Sequence, residues 1–225
     1  MVTRYKQAKR KFNILKSTAT ILSVLFHPVI LPTYVFACLI FFAPATFSTL
    51  SEQGKYYLLL LIFITTCILP IFLMTIFLQL TNRTMNLKAF FMGNRRERIV
   101  PYLITAIFYS SLAYFFDAYL HMSGLIIYLV ASIGVTILVL SLITLFYKVS
   151  AHATGLSGSV VILVMLSMRF ADNDLFYPIL TFILISGFVM SSRLFLKAHT
   201  GMEIITGVLT GFIVNFCIFY FLLIG

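Results

Sequence analysis

Residues 192–203 read Ser-Arg-Leu-Phe-Leu-Lys-Ala-His-Thr-Gly-Met-Glu and lie between two long apolar runs. Ionisable groups beside hydrocarbon are costly, so Arg193, His199 and Glu203 need a reason to be there. Glu203 follows His199 by four residues. On a helix that spacing sets both side chains on one face, about one turn apart. A carboxylate so placed accepts the proton of one imidazole nitrogen and leaves the other nitrogen's lone pair available. An aimed, neutral imidazole is a nucleophile or a base. The forked guanidinium of Arg193 suits an anion, phosphate best of all. The plain alternative is an interfacial loop whose cations reach toward headgroups.

Two further polar segments carry matching residue types. Residues 148–155 read Lys-Val-Ser-Ala-His-Ala-Thr-Gly, and residues 81–100 hold Arg83, Lys88, Arg95, Arg96, Glu97 and Arg98. Pooled with the first segment, cations far outnumber carboxylates. That argues against a divalent-metal site, which wants several carboxylates, and for an anion held by charge-assisted hydrogen bonds. Ser150, Ala151 and His152 stand just before an apolar helix, where backbone amides and the Ser150 hydroxyl suit phosphate oxygens. The two histidines then divide the labour. His199, oriented by Glu203, attacks phosphorus. His152, close to Lys148 and without an acidic neighbour in sequence, protonates the leaving oxygen. Arg193, Arg95, Arg98, Lys148 and Ser150 are the expected phosphate ligands, and the charge of the cations among them stabilises the transition state.

These residues must be positioned by membrane helices. The chain of 225 residues is 61% hydrophobic and 10% charged, with a mean hydropathy of +1.07, which no ordinary soluble domain matches. Apolar runs of bilayer-spanning length recur without the alternation of barrel strands. The expected fold is all-α: a polytopic helical membrane protein of about six or seven transmembrane helices in one bundle. Residues 1–17 form a basic juxtamembrane segment and 18–225 a single transmembrane domain. Expected spans are 18–43, interrupted by His27-Pro28 and Pro32; 56–80, with Pro70 inside; 101–120, opened by Pro101; 125–147; a fifth ending near 171; 175–191; and 201 onward. His27 is read chiefly as a polar group that satisfies backbone freed by the kink, with a part in chemistry as the alternative. Gly201, Gly207 and Gly211 allow a neighbouring helix to approach closely. Cys38, Cys67 and Cys217 have neither disulfide nor zinc spacing and read as small core hydrophobes. No cleavable signal is evident at the start.

Counting spans makes a geometric prediction. Two crossings separate the arginine loop from residues 148–152, and two more lead to residues 193–203. All three segments therefore return to one face. Every Lys and Arg except Lys55 and Arg169 falls on that face, and the positive-inside rule would make it cytoplasmic. The net charge of +10 flanks membrane spans, so anionic lipid headgroups are the expected partner and not nucleic acid.

The pattern resembles the type 2 phosphatidic acid phosphatases, related to vanadium haloperoxidases. Their third motif is Ser-Arg, five residues, His, three residues, Asp. Ser192, Arg193, His199 and Glu203 keep its spacing, with Glu for Asp. Their second motif, Pro-Ser-Gly-His, corresponds to Val149-Ser150-Ala151-His152. Their first, Lys, six residues, Arg-Pro, is approximated by Lys88 and Arg95, with Arg96 in place of proline; Arg98 with Pro101 is a second approximation. The resemblance covers mainly residues 88–211. It implies a phosphohistidine on His199, His152 as general acid, phosphate binding by Arg193, and no cofactor. It also implies a lipid phosphate or diphosphate as substrate: phosphatidic acid, phosphatidylglycerol phosphate, a polyprenyl diphosphate such as the undecaprenyl one, or lipid A phosphate. The expected setting is a membrane such as the bacterial inner one; family members usually work on the outer or lumenal face, so the side stays open. The alternative is a lipid-binding or scaffold protein that keeps the fold and has lost turnover. A transporter or channel fits poorly, because the charges crowd one face.

Overall fold

The computed structural model describes residues 2–48, 50–80, 95–170 and 173–224. All regular structure among them is helical: α1 (Val2–Leu25), α2 (Leu31–Phe42), α3 (Glu52–Phe63), α4 (Leu69–Leu80), α5 (Arg95–Ala118), α6 (Gly124–Thr144), α7 (Ala151–Phe170), α8 (Phe176–Phe195) and α9 (Gly201–Ile224), with short 3₁₀ turns at Pro44–Phe47 and Asn173–Leu175. Six stretches are long and apolar enough to cross a membrane: Glu52–Phe77, Arg98–Ala118, Gly124–Thr144, Ala151–Phe170, Phe176–Phe195 and Gly201–Leu222. The chain is thus a helical membrane protein.

The first apolar run does not make one crossing helix. It breaks at residues 26–30, around Pro28, into α1 and the short α2. Twelve residues of α2 rise only about 18 Å. Meanwhile α1 runs along one rim of the bundle. The Phe12 ring lies 5.7 Å from that of Phe195, at the C-terminal end of α8. Eleven residues later the Ser23 carbonyl meets His152, at the start of α7. Both partners sit at the same face of the bundle, so this stretch of α1 skirts that face and does not pass through it.

Proline positions shape two spans. α3 and α4 are one continuous span joined by a π-turn at Ile64–Ile68, where Leu69 N–H donates to Ile64 O. Pro70 follows and has no N–H, so the Thr66 carbonyl four residues earlier loses its helical donor. Tyr109 of α5, almost wholly buried, supplies one: its hydroxyl donates to Thr66 O at 3.0 Å. Pro101 does not open its span. The helix starts six residues earlier at Arg95, and Pro101 lies inside it. That extra length puts Arg98 on the helix, one turn before Tyr102 and on the same face as Thr105 and Tyr109.

α7 and α9 pack closely against each other. A side chain at Gly207 would meet the Ser150 carbonyl at 2.7 Å, and one at Gly211 would run into the Thr154 carbonyl and Ser157 hydroxyl. Gly201 has open space around it, so it plays no such part. Of the cysteines Cys67 is buried and Cys38 partly so, whereas Cys217 is exposed and does not belong to the core.

Because Tyr109 replaces a donor that Pro70 lacks, Tyr109→Phe keeps the ring packing and orphans a buried carbonyl. The expected loss is about 1–3 kcal/mol, read as a lowered melting temperature of the detergent-solubilised protein.

Candidate active site

Five residues turn the chain from α8 into α9 and set His199 in place. Leu196 caps α8, Lys197 takes the left-handed conformation (φ 51), Lys197 N–H donates to Leu194 O at 2.9 Å, and Ala198 N–H donates to Arg193 O at 3.0 Å. These are the two bonds of a Schellman stop, here with lysine where glycine is usual. Thr200 then begins α9. Its hydroxyl accepts from Glu203 N–H at 3.3 Å, while Glu203 Oε2 accepts from Thr200 N–H at 3.2 Å. This is a capping box. The same Oε2 takes the Nδ1 proton of His199 at 2.8 Å. The expected His199–Glu203 pair therefore exists, but by a different route. His199 lies outside the helix, and the cap, not a shared helical face, brings the carboxylate to it.

Glu203 does more. Lys148 Nζ stands 3.6 Å from its Oε2 and donates to Ala198 O at 2.9 Å. The Glu203 carbonyl accepts from Ser150 N–H at 3.2 Å. Ser150 Oγ in turn faces Ala153 N at 3.5 Å as the N-cap of α7. Arg98 Nη1 reaches Val149 O at 3.4 Å. The starts of α5 and α7 and the α8–α9 turn thus meet at one face, as span counting requires.

A cavity of about 240 Å³ opens between them. His27, Arg98, Tyr102, His152, Arg193 and His199 give it a polar end. Its remaining walls are mostly apolar and include Leu31, Phe36, Leu129, Ile133 and Ile162. It extends to Asn215, fourteen residues into α9 and so about 21 Å along that helix, where Asn215 Nδ2 donates to Thr136 Oγ1 at 3.1 Å.

Of the expected residues, His199, His152, Arg193 and Arg98 line this cavity. Ser150 and Lys148 do not. The Ser150 amide and hydroxyl are taken by Glu203 and the α7 cap, and Lys148 braces the α8–α9 turn. The Arg95 side chain, like Arg83 and Lys88, lies outside the described residues. Sequence reasoning passed over Tyr102, beside Arg98, and gave His27 chiefly a structural part. The Ser23 carbonyl, which receives the His152 Nε2 proton at 2.9 Å, carries no side-chain signal at all.

Arg193 is the least comfortable group here. It is only 5% exposed, its Nε has no hydrogen-bond partner among the described residues, and no described carboxylate pairs with it. Arg98, 6% exposed, adds like charge nearby. A buried guanidinium with an open donor is costly unless an anion completes it. Among the described residues no cluster of His, Cys, Asp and Glu is arranged to hold a metal ion. No protein-family model, curated protein or solved structure matches the chain.

Burial pushes the His199 pKa down to about 4; the Glu203 hydrogen bond opposes the shift, and Arg98, Arg193 and Lys148 add to it. His27 is likewise lowered to about 4, by burial and then by Arg193. Below the ordinary imidazole value of about 6.5 the unfolded chain takes up protons that the folded one refuses. The stability these neutral rings contribute is therefore whole above that value and is lost as pH falls toward 4. The melting temperature is expected to drop between pH 6.5 and 4, with a shallower drop in His199→Gln.

Proposed function

We propose that this protein is a membrane-embedded lipid phosphatase that hydrolyses a lipid phosphate or diphosphate through a phosphohistidine intermediate. The observation that carries the reading is the buried, incompletely bonded Arg193 guanidinium, which shares a cavity with the Glu203-oriented His199. An anion completes the arginine, and the imidazole beside it has the tautomer of a nucleophile: Nδ1–H on the carboxylate and a lone pair on Nε2. The cavity is cationic at one end and mostly apolar beyond, which suits an amphiphile with a phosphate headgroup. The resemblance in motif spacing to the type 2 phosphatidic acid phosphatases points the same way.

In this mechanism His199 Nε2 attacks phosphorus and the bond from phosphorus to the lipid oxygen breaks. His152 donates a proton to the departing oxygen. It does so from Nδ1, since its Nε2–H is held on the Ser23 carbonyl. Neutral His152 then takes a proton from water as that water attacks the phosphohistidine, releasing phosphate and restoring both rings. Arg193 and Arg98 stabilise the negative oxygens of each transition state.

One observation favours a second reading, a lipid-binding protein without turnover. The His152 proton faces a backbone carbonyl and not the cavity, which suits a fixed structural ring. Incubation with a short-chain lipid phosphate labelled with ³²P separates the two. Enzymatic action gives acid-labile label on His199 and release of phosphate; binding alone gives neither. Under the enzymatic reading His199→Ala lowers turnover at least about a thousandfold, and Glu203→Gln lowers it by about a hundredfold or more. Full turnover in His199→Ala rules the nucleophile out.

A further inference from the structure

Three imidazoles, not two, border the cavity. His27 belongs to the break between α1 and α2, immediately before Pro28. Its ring stands edge-on to that of His152, with centroids 5.3 Å apart. Its Nδ1 accepts the Val29 N–H at 3.4 Å. A ring that accepts at Nδ1 carries its proton on Nε2 when neutral. That N–H has no hydrogen-bond partner among the described residues, and the ring lies in the wall that also holds Arg193 and His199.

We propose that His27 is a ligand-contacting residue of the site, a neutral imidazole whose Nε2–H donates to a phosphoryl oxygen held by Arg193. The proposal rests on the phosphate reading of the cavity. The turn explains the selection of this residue type: one nitrogen satisfies the backbone left open by the break, and that bond fixes which nitrogen offers a proton to the ligand. Burial and the neighbouring Arg193 keep the ring neutral near pH 7, so it donates without giving its proton up. Neutral donors of this kind serve a bound anion without adding a third charge to an already cationic wall.

Two substitutions divide the ring's two tasks. His27→Asn keeps a short acceptor for Val29 N–H and loses the distal donor. His27→Gln reaches farther and restores an N–H near the Nε2 position. Binding of inorganic phosphate and, separately, of dioctanoyl phosphatidic acid to the full-length protein in detergent is measured by calorimetry, with melting temperature as the folding control. His27→Asn is expected to weaken both ligands about tenfold, and His27→Gln to recover most of that loss. The loss appears with both ligands because the phosphoryl group is what they share; a loss confined to the lipid overturns the proposal. Unchanged affinity in the Asn variant, or equal loss in both variants, overturns it too. Failure of the wild-type protein to bind either ligand overturns the phosphate reading itself, whatever His27 does.

Discussion

The carboxylate of Glu203 is the constraint on which the cationic face depends. One oxygen serves the His199 ring, the Thr200 amide and, at longer range, the Lys148 ammonium. It is the one carboxylate paired with cavity groups among the described residues. Because it occupies the third position of α9, it does helix-capping work and site work with the same atoms. The positive end of the α9 dipole favours the negative charge there. Its own backbone carbonyl holds the start of α7 through Ser150. Thus the orientation of the His199 ring and the docking of two helices are set by one residue.

Among the described residues the fold buries two guanidiniums against this one paired carboxylate at the cavity. Burying like charges together is a poor way to stabilise a protein, and an apolar pair would pack better. Under the phosphate reading proposed above, an anionic headgroup would complete the open Nε donor of Arg193. The dense contact of α7 with α9, through Gly207 and Gly211, supplies rigidity that such a site cannot supply for itself. The Tyr109–Thr66 bond does the same for the proline-interrupted span.

Much of the fold was legible because hydropathy and span length are coarse, additive signals. Parity places Arg98, His152, Arg193 and His199 at one face, and the structure adds that all four line one cavity. Finer placement was less legible. Pro101 reads as a helix start, yet the helix carries on toward its N-terminus through Arg95, and that shift gives Arg98 its position. The His199–Glu203 spacing suggests a helical face, whereas a lysine in left-handed conformation and a threonine cap produce the contact. Ser150 and Lys148 have the right chemistry for phosphate and are used for structure, since nearer backbone groups claim them. No pattern of side chains announces that a carbonyl of α1 binds His152, because backbone atoms are the same at every residue.

That last contact has a consequence for how the site can vary. The acceptor for His152 is main chain, so residue 23 matters there only through its bulk: Ser23 is 1% exposed and turns its hydroxyl back to Ala19 O. Exchange for another small residue leaves the tether intact, and only movement of the rim helix itself releases it. The orientation of a central imidazole is thereby made to report the seating of an entire surface helix, one whose outer length carries Lys6, Lys9, Arg10, Lys11 and Lys16.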